Sequence, residues 1–320
     1  MSSAVLVTGA AGFAGSYLIE SLVRDGATIV AWHRPGGHPP HAAAQTTWRA
    51  VDLLDFDTVQ RAVEDARPAI VYHCAGAAHV GRSWDLSERT LAVNVRGTHF
   101  LLKAMSAADQ HAKVMIASSG MIYKATSDRI REDDPLGPTN PYGVSKLAQE
   151  MLGRRASNQH LSVTIGRAFN HIGPRQDPSF AASGFARQIA EIELGLRSAE
   201  VIVGNLDARR DLIDVRDVTR AYRTIIDRGV SDRPYNICSG RAIAIGEILD
   251  MLRARARVPI RVRVDPDRFR PNDLPVLIGD GTRIREELGW SPTIPLAQTL
   301  DDLMAYWRSA LGDARISTKN

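Results

Sequence analysis

The chain has 320 residues, is 44% hydrophobic and 24% charged, and carries a net charge of +4. That is the composition of a globular protein long enough for one large or two modest domains, with little reason to expect a nucleic-acid partner. No run approaches the roughly 18 to 20 apolar residues of a membrane span, and Cys74 and Cys238, distant and in apolar contexts, argue against a disulfide framework or a metal site.

The N-terminus leads straight into a strand, Ala4 to Thr8, so no signal peptide is expected and the cytoplasm is the expected compartment. Gly9-Ala-Ala-Gly12-Phe-Ala-Gly15 follows, then a helical pattern from Phe13 to about Arg24. Strand, glycine turn and helix in that order are the signature of a dinucleotide-binding loop. Gly9 permits the tight turn, Gly12 lets backbone approach a pyrophosphate, and Gly15 lets helix pack on sheet; Phe13 and Ala14 complete the loop. The spacing is G-x-x-G-x-x-G rather than G-x-G-x-x-G.

A second strand, Thr28 to Trp32, ends in His33-Arg34. NAD-preferring enzymes place an acid near this point to hold the ribose 2′-hydroxyl. Here there is none, and Arg34 suits a 2′-phosphate. NADP(H) is therefore the preferred cofactor, with NAD(H) possible and a solvated Arg34 as the plain alternative. The next loop, G-G-H-P-P-H, holds His38 and His41 and reads as mobile surface rather than a metal site. A third strand ends near Asp52-Leu53, where Asp52 can reach an adenine, and Asp55 caps a helix. A fourth, Ala69 to Cys74, runs into Ala75, Gly76 and Ala77, small enough for backbone to lie against a cofactor. A long helical stretch, about Leu86 to Ala107, contains Asn94, read as a structural bond across the sheet.

The fifth strand, from Lys113, ends in Ser118-Ser119, and N-P-Y-G-V-S-K opens the next helix. Tyr142 and Lys146 stand one turn apart on one helix face. A Lys beside a Tyr favours the phenolate and lowers its pKa, which suits proton transfer at an alcohol oxygen. Ser119 ends its strand at the edge where α/β sheets bind ligands. Y-x-x-x-K alone also occurs by chance on surface helices. Leu161 to Arg167 is a sixth strand, and the alternation implies a parallel sheet covered on both faces. Beyond it, Phe169 to Pro174 reads as a turn, Phe180 to Leu196 as a helix, and Val201 to Asp211 as strand and loop. Val215 to Arg228 is helical, and Pro234 to Cys238 reads as a further strand of the main sheet. Further helices are expected over Ile243 to Arg257, Thr282 to Leu288 and Leu296 to Leu311. The reading is thus a doubly wound α/β domain over 1–168 with 211–239. Interleaved with it is a smaller α/β substrate domain over 169–210 and 240–312, and 313–320 form a loose tail.

These motifs, in this order, resemble the extended short-chain dehydrogenases/reductases. They are T-G-A-A-G-F-A-G, N-V-R-G-T, S-S-x-x-x-Y, Y-G-V-S-K, R-A-F-N, R-D-L-I-D-V-R-D-V and Y-N-I-C-S-G. F-N-H-I-G-P, A-R-Q-I-A, G-N-L-D-x-x-R-D and R-P-N-D-L-P-V-L-I-G-D are similar to the branch of GDP-mannose 4,6-dehydratases and GDP-6-deoxy-D-mannose reductases, and the first two are most similar to its reductases.

The resemblance implies a Rossmann fold and a catalytic Ser119, Tyr142 and Lys146. Phe169 would touch the cofactor. His79, Ser83, Ser119, Asn170, Arg187, Arg210 and Arg270 would contact a GDP-sugar, and two chains would pair through a four-helix bundle. Dehydratases of the family carry an acid where this chain has Met121, and Lys124 stands where glycine is usual. A thioether does no acid–base work. The expectation is NADPH-dependent reduction of the C4 ketone of GDP-4-dehydro-6-deoxy-D-mannose to GDP-D-rhamnose. A 4-epimerase with the same triad is the alternative, and a non-catalytic dinucleotide sensor a second one.

Overall fold

The computed structural model of the protein describes residues 4–37, 39, 45–108, 110–269 and 274–317. His38, His41 and Arg270 lie outside them.

Val5, Leu6, Val7 and Thr8 are all buried, the mark of a strand covered on both faces. This strand, β1 (Val5–Thr8), is followed by β2 (Ile29–His33), β3 (Thr46–Ala50), β4 (Ile70–His73), β5 (Ala112–Ser119) and β6 (Leu161–Ala168). Next come β7 (Asn170–Ile172), β8 (Glu200–Val203) and β9 (Arg209–Asp214), and the chain then returns to the first sheet as β10 (Pro234–Ile237). Among the described residues this sheet has seven strands in the order β10-β6-β5-β4-β1-β2-β3. Every neighbouring pair is parallel. The order reverses between β4 and β1, which opens a crevice at their carboxyl ends. The fold is the doubly wound Rossmann α/β sheet that the sequence implied.

Alternation along the strands fills two cores. Val5, Val7, Ile29 and Tyr72 pack with α1 (Phe13–Arg24), while Leu6, Trp32, Val71 and Val114 pack against α2 (Phe56–Ala66). The stretch expected as one helix over Leu86 to Ala107 is instead three segments: α3 (Ser87–Leu91), a π turn over Ala92–Arg96, and α4 (Gly97–Ala107). Asn94, fully buried, sits in that π turn. Its side-chain oxygen accepts the Ala77 N–H at 2.7 Å, and its amide donates to the Ala77 carbonyl at 3.2 Å and to Ser145 Oγ at 2.8 Å. Such single-turn widenings cluster at functional sites.

Pro141 opens α5 (Pro141–Ala156), and the Asn140 side chain caps it by accepting the Gly143 N–H at 2.8 Å. Then come α6 (Ala181–Glu193), α7 (Val215–Arg228), β11 (Ala242–Ala244), α8 (Ile245–Arg253), β12 (Arg261–Val264), β13 (Val276–Leu277), α9 (Thr282–Leu288) and α10 (Leu296–Ser317). Short sheets β11-β9-β13, with β7 beside β9, and β12-β8 form a second lobe. Its core joins Phe185 and Ile189 of α6, Leu249 and Leu252 of α8, and Leu300, Leu303 and Trp307 of α10.

Two expectations are corrected here. The segment read as a turn after Phe169 contains β7, because Asn170 to Ile172 pair in parallel with Leu212 to Asp214. The tail expected from residue 313 is helical as far as Ser317, carried by a helix whose earlier turns are anchored in the second core. No helix among the described residues is long and apolar enough to cross a membrane.

Candidate active site

A cleft of about 880 Å³ opens between the two lobes at the carboxyl edge of the main sheet. Its floor is the glycine turn. Gly9 has φ +66°, and a Cβ there would lie 2.7 Å from the Ala75 backbone; one on Gly15 would lie 2.2 Å from the Gly9 carbonyl. Only glycine fits either place, which leaves backbone lying bare along the cleft. Phe13 and Ala14 line it too, and Phe13 stacks on His171, ring planes 7° apart. Ala10 N–H donates to the Trp32 carbonyl at 3.0 Å, so the turn abuts the end of β2. Arg34, exposed, stands just beyond that end and outside the cleft lining.

Ser119, Tyr142 and Lys146 all line the cleft. Ser119 ends β5 and its Oγ accepts the Met121 N–H at 3.1 Å. Tyr142 and Lys146 are 9% and 6% exposed. The Lys146 ammonium donates to the Ala117 carbonyl at 2.7 Å and to Gln149 Oε1 at 2.8 Å. Burial pulls its pKa down to about 8. The expected lowering of the Tyr142 pKa by Lys146 is not found. Burial raises it, and the neighbouring Ser119 hydroxyl is the group that opposes the rise. The phenol is held protonated, ready to give a proton rather than take one.

The remaining expected residues divide sharply. Gly76, Phe169, Asn170 and Arg210 line the cleft. Asn170 Oδ1 and Gln176 Oε1 are buried without a hydrogen-bond partner among the described residues, and both residues line the cleft. Buried acceptors left open in this way call for donors from a ligand or from water. Arg210 is on β9, its guanidinium donating to the Leu274 carbonyl at 2.7 Å.

The others lie outside the cleft lining. Asp52 accepts the Leu54 N–H at 2.9 Å, Leu53 packs under Gly97, Ala75 backs Gly9, and the Ala77 backbone is held by Asn94. Ser83 accepts the Tyr142 N–H at 3.3 Å and donates to the Val80 carbonyl at 2.7 Å, so it fixes the start of α5. His79 bonds Ser179 Oγ at 2.8 Å beside Phe180. Arg187 lies outside the lining, paired with Glu191 at 2.8 Å and set over the Trp307 ring. Sequence reasoning missed His171, Gln176, Asn205 and Arg268, which also line the cleft. His171 lies within F-N-H-I-G-P and Asn205 within G-N-L-D-x-x-R-D, Gln176 follows the first of these motifs by two residues, and Arg268 stands two residues ahead of R-P-N-D-L-P-V-L-I-G-D.

A model of the GDP-mannose 4,6 dehydratase family matches residues 6–303. The chain belongs to that family. It is 33% identical to the GDP-6-deoxy-D-mannose reductase of Pseudomonas aeruginosa, over 97% of this chain and 98% of that one. Among solved structures this family member is similar to RMD from Pseudomonas aeruginosa complexed with NADPH, at 31% identity and a TM-score of 0.83, covering 97% of this chain and 100% of the other. It is also similar to a UDP-glucose 4-epimerase of Thermus thermophilus in complex with NAD, at 27% identity and a TM-score of 0.87, covering 96% and 99%. The protein is thus a nucleotide-sugar enzyme of the short-chain dehydrogenase/reductase type.

Proposed function

We propose that the protein reduces the C4 ketone of GDP-4-dehydro-6-deoxy-D-mannose to GDP-D-rhamnose, with NADPH preferred and NADH possible. The observation that carries this is the pairing of Ser119 and Tyr142 in one cleft with Met121, a thioether, lining the place where a dehydratase needs an acid. The glycine turn, with no room for a Cβ, and the open acceptor of Asn170 fit a bound dinucleotide and sugar nucleotide. The nicotinamide, when bound, supplies the hydride for C4. Tyr142 donates the proton to O4, Ser119 bonds the same oxygen, and Lys146 holds the nicotinamide ribose. Arg34 meets the 2′-phosphate, and Asn170 and Arg210 face the sugar nucleotide.

Support for this reading also comes from the similarity to a reductase and to an NADPH complex. The test is to offer the 4-keto sugar with NADPH, follow absorbance, and identify the sugar formed. Stoichiometric NADPH consumption is expected. Interconversion of C4 epimers with no net cofactor consumption overturns the reading in favour of a 4-epimerase. Steady 4-keto sugar from GDP-mannose overturns the assignment of Met121.

A homodimer through α5 completes the proposal. Val144 and Met151, two turns apart on α5, are 46% and 62% exposed, and Leu91 of α3 is 39% exposed. A second copy would cover this stripe; Met151→Glu should leave a monomer in sedimentation. Free thiols at Cys74 and Cys238 fit the reducing cytoplasm.

A further inference from the structure

The reacting cleft has a buried rear wall that no part of the reaction yet uses. Gln149 lies three residues after Lys146 on α5 and so shares its face. It is fully buried, as are Thr98 and Asn94, and His73 is 1% exposed. Gln149 Oε1 accepts from the Lys146 ammonium at 2.8 Å, and its Nε2 donates to Thr98 Oγ1 at 2.8 Å.

The direction of each proton follows from what the next group can give. Thr98 spends its single hydroxyl proton on the Asn94 carbonyl, at 2.6 Å. Its oxygen therefore accepts from both Gln149 Nε2 and His73 Nε2, the latter at 2.8 Å. His73 Nδ1 then accepts from Thr8 Oγ1, at 2.8 Å, and Thr8 Oγ1 accepts the Ala75 N–H, at 3.2 Å. A flipped Gln149 amide would set its oxygen against a Thr98 oxygen with no proton left and its NH₂ against an ammonium. The amide has one allowed orientation, and it turns its acceptor toward Lys146. Two of the three ammonium protons are thereby engaged, by Ala117 and Gln149. The ammonium nitrogen itself lies 3.5 Å from where a Cβ on Gly76 would stand, at the cleft wall.

We propose that Gln149 is a positioning residue: its side-chain carbonyl, locked by Thr98 and His73, holds the Lys146 ammonium charged and aimed at the cofactor. The inference rests on the proposed role of Lys146. Burial disfavours the charged amine, and an aimed carbonyl offsets part of that cost. His73, held neutral by burial with a pKa of about 3, keeps the relay in one proton arrangement across the working pH range. The titratable groups around the ammonium are His73 at the end of β4, Cys74 just after it and His171 of β7, with Tyr142 one turn earlier on α5. The Cys74 thiol, pushed up to about 12 by burial, stays neutral with them.

The experiment measures NADPH affinity by tryptophan fluorescence, from about pH 6 to pH 10, a range that brackets a buried lysine. Wild type, Gln149→Met, Gln149→Glu, Thr98→Val and Lys146→Met are compared, with thermal melts to show that each is folded. Wild type should lose affinity as Lys146 deprotonates. Gln149→Met removes the acceptor and should shift that midpoint to lower pH, weakening NADPH about tenfold at neutral pH, the usual loss for a hydrogen bond to a charged group. Gln149→Glu should shift it to higher pH, because an opposite charge favours the ammonium. Thr98→Val should move it the same way as Gln149→Met, by less. A merely structural role cannot give opposite shifts in two variants of one residue. If Lys146→Met abolishes the midpoint while both Gln149 variants leave it in place or move it together, the role of Gln149 is overturned and that of Lys146 stands. If Lys146→Met binds NADPH as wild type does, both fall.

Discussion

Arg167 and Glu150 form an ion pair at 2.6 Å between side chains that are 2% and 1% exposed. It joins β6 to α5 directly behind the Tyr142–Lys146 turn. Glu150 also accepts from Ser118 Oγ at 3.0 Å, and Arg167 donates to the Tyr123 hydroxyl and the Glu132 carbonyl at 2.7 and 2.8 Å. Breaking one side of a buried pair leaves the other charge uncompensated, at about 3 to 5 kcal/mol. Glu150→Leu should therefore lower the unfolding free energy in urea by that much. The double variant Glu150→Leu/Arg167→Met should recover a large part of it, as urea melts of both will show.

Tyr142→Phe should lower kcat and kcat/KM together by about 10² to 10⁴, the usual contribution of a general acid, and leave NADPH binding intact. Because burial raises the phenol pKa, the acid form persists to higher pH than in a free tyrosine. The alkaline limb of the rate profile should therefore belong to Lys146, near its pKa of about 8, and not to Tyr142. Rate profiles for Tyr142→Phe and Lys146→Met distinguish the two: the residual activity of the first should keep the limb, and the second should lose it.

Arg34→Ala should reduce the NADPH-to-NADH ratio of kcat/KM about tenfold or more, the value of one hydrogen-bonded charge pair. Steady-state kinetics with both cofactors check it. An unchanged ratio would mean that Arg34 is solvated surface.

Gly15→Ala should be poorly tolerated, since its Cβ would press 2.2 Å from the Gly9 carbonyl. Backbone cannot yield as a side chain can, and overpacking of this kind costs roughly 1 to 3 kcal/mol. The melting temperature should fall, and NADPH affinity should fall with it as the turn is displaced.

His73 gives a pH dependence of stability. Burial holds its pKa near 3, well under its ordinary value of 6.5. The unfolded chain binds a proton that the folded chain refuses, so the contribution is whole above about 6.5 and is lost as pH falls toward 3. Urea midpoints for His73→Gln against wild type should show a shallower fall between about pH 6 and pH 4, by up to one proton's slope.

Much of this was legible in the sequence because the signals are local. The glycine turn, the Asn140–Pro141 start of α5 and the Tyr142–Lys146 spacing each depend on a few adjacent residues. What stayed hidden depends on remote partners. Whether Lys146 meets Tyr142 or Gln149 is decided by Ala117 and Thr98, from a strand and a helix elsewhere in the chain. The π turn at Asn94 follows from the Ala77 backbone, not from any propensity of its own residues. β7 exists only because β9 lies beside it.

The late arrival of β10 has a consequence for synthesis. It pairs with β6 through Pro234 to Ile237 against Ile165 to Ala168, so the second lobe's first helix and strands must leave the ribosome before the main sheet can close. Until then β6 presents a bare edge of unpaired amides and carbonyls, the geometry on which nascent chains adhere to one another. Fragments ending ahead of Pro234 should therefore be rescued by chaperones or lost to inclusion bodies, even though every strand from β1 to β6 is present in them.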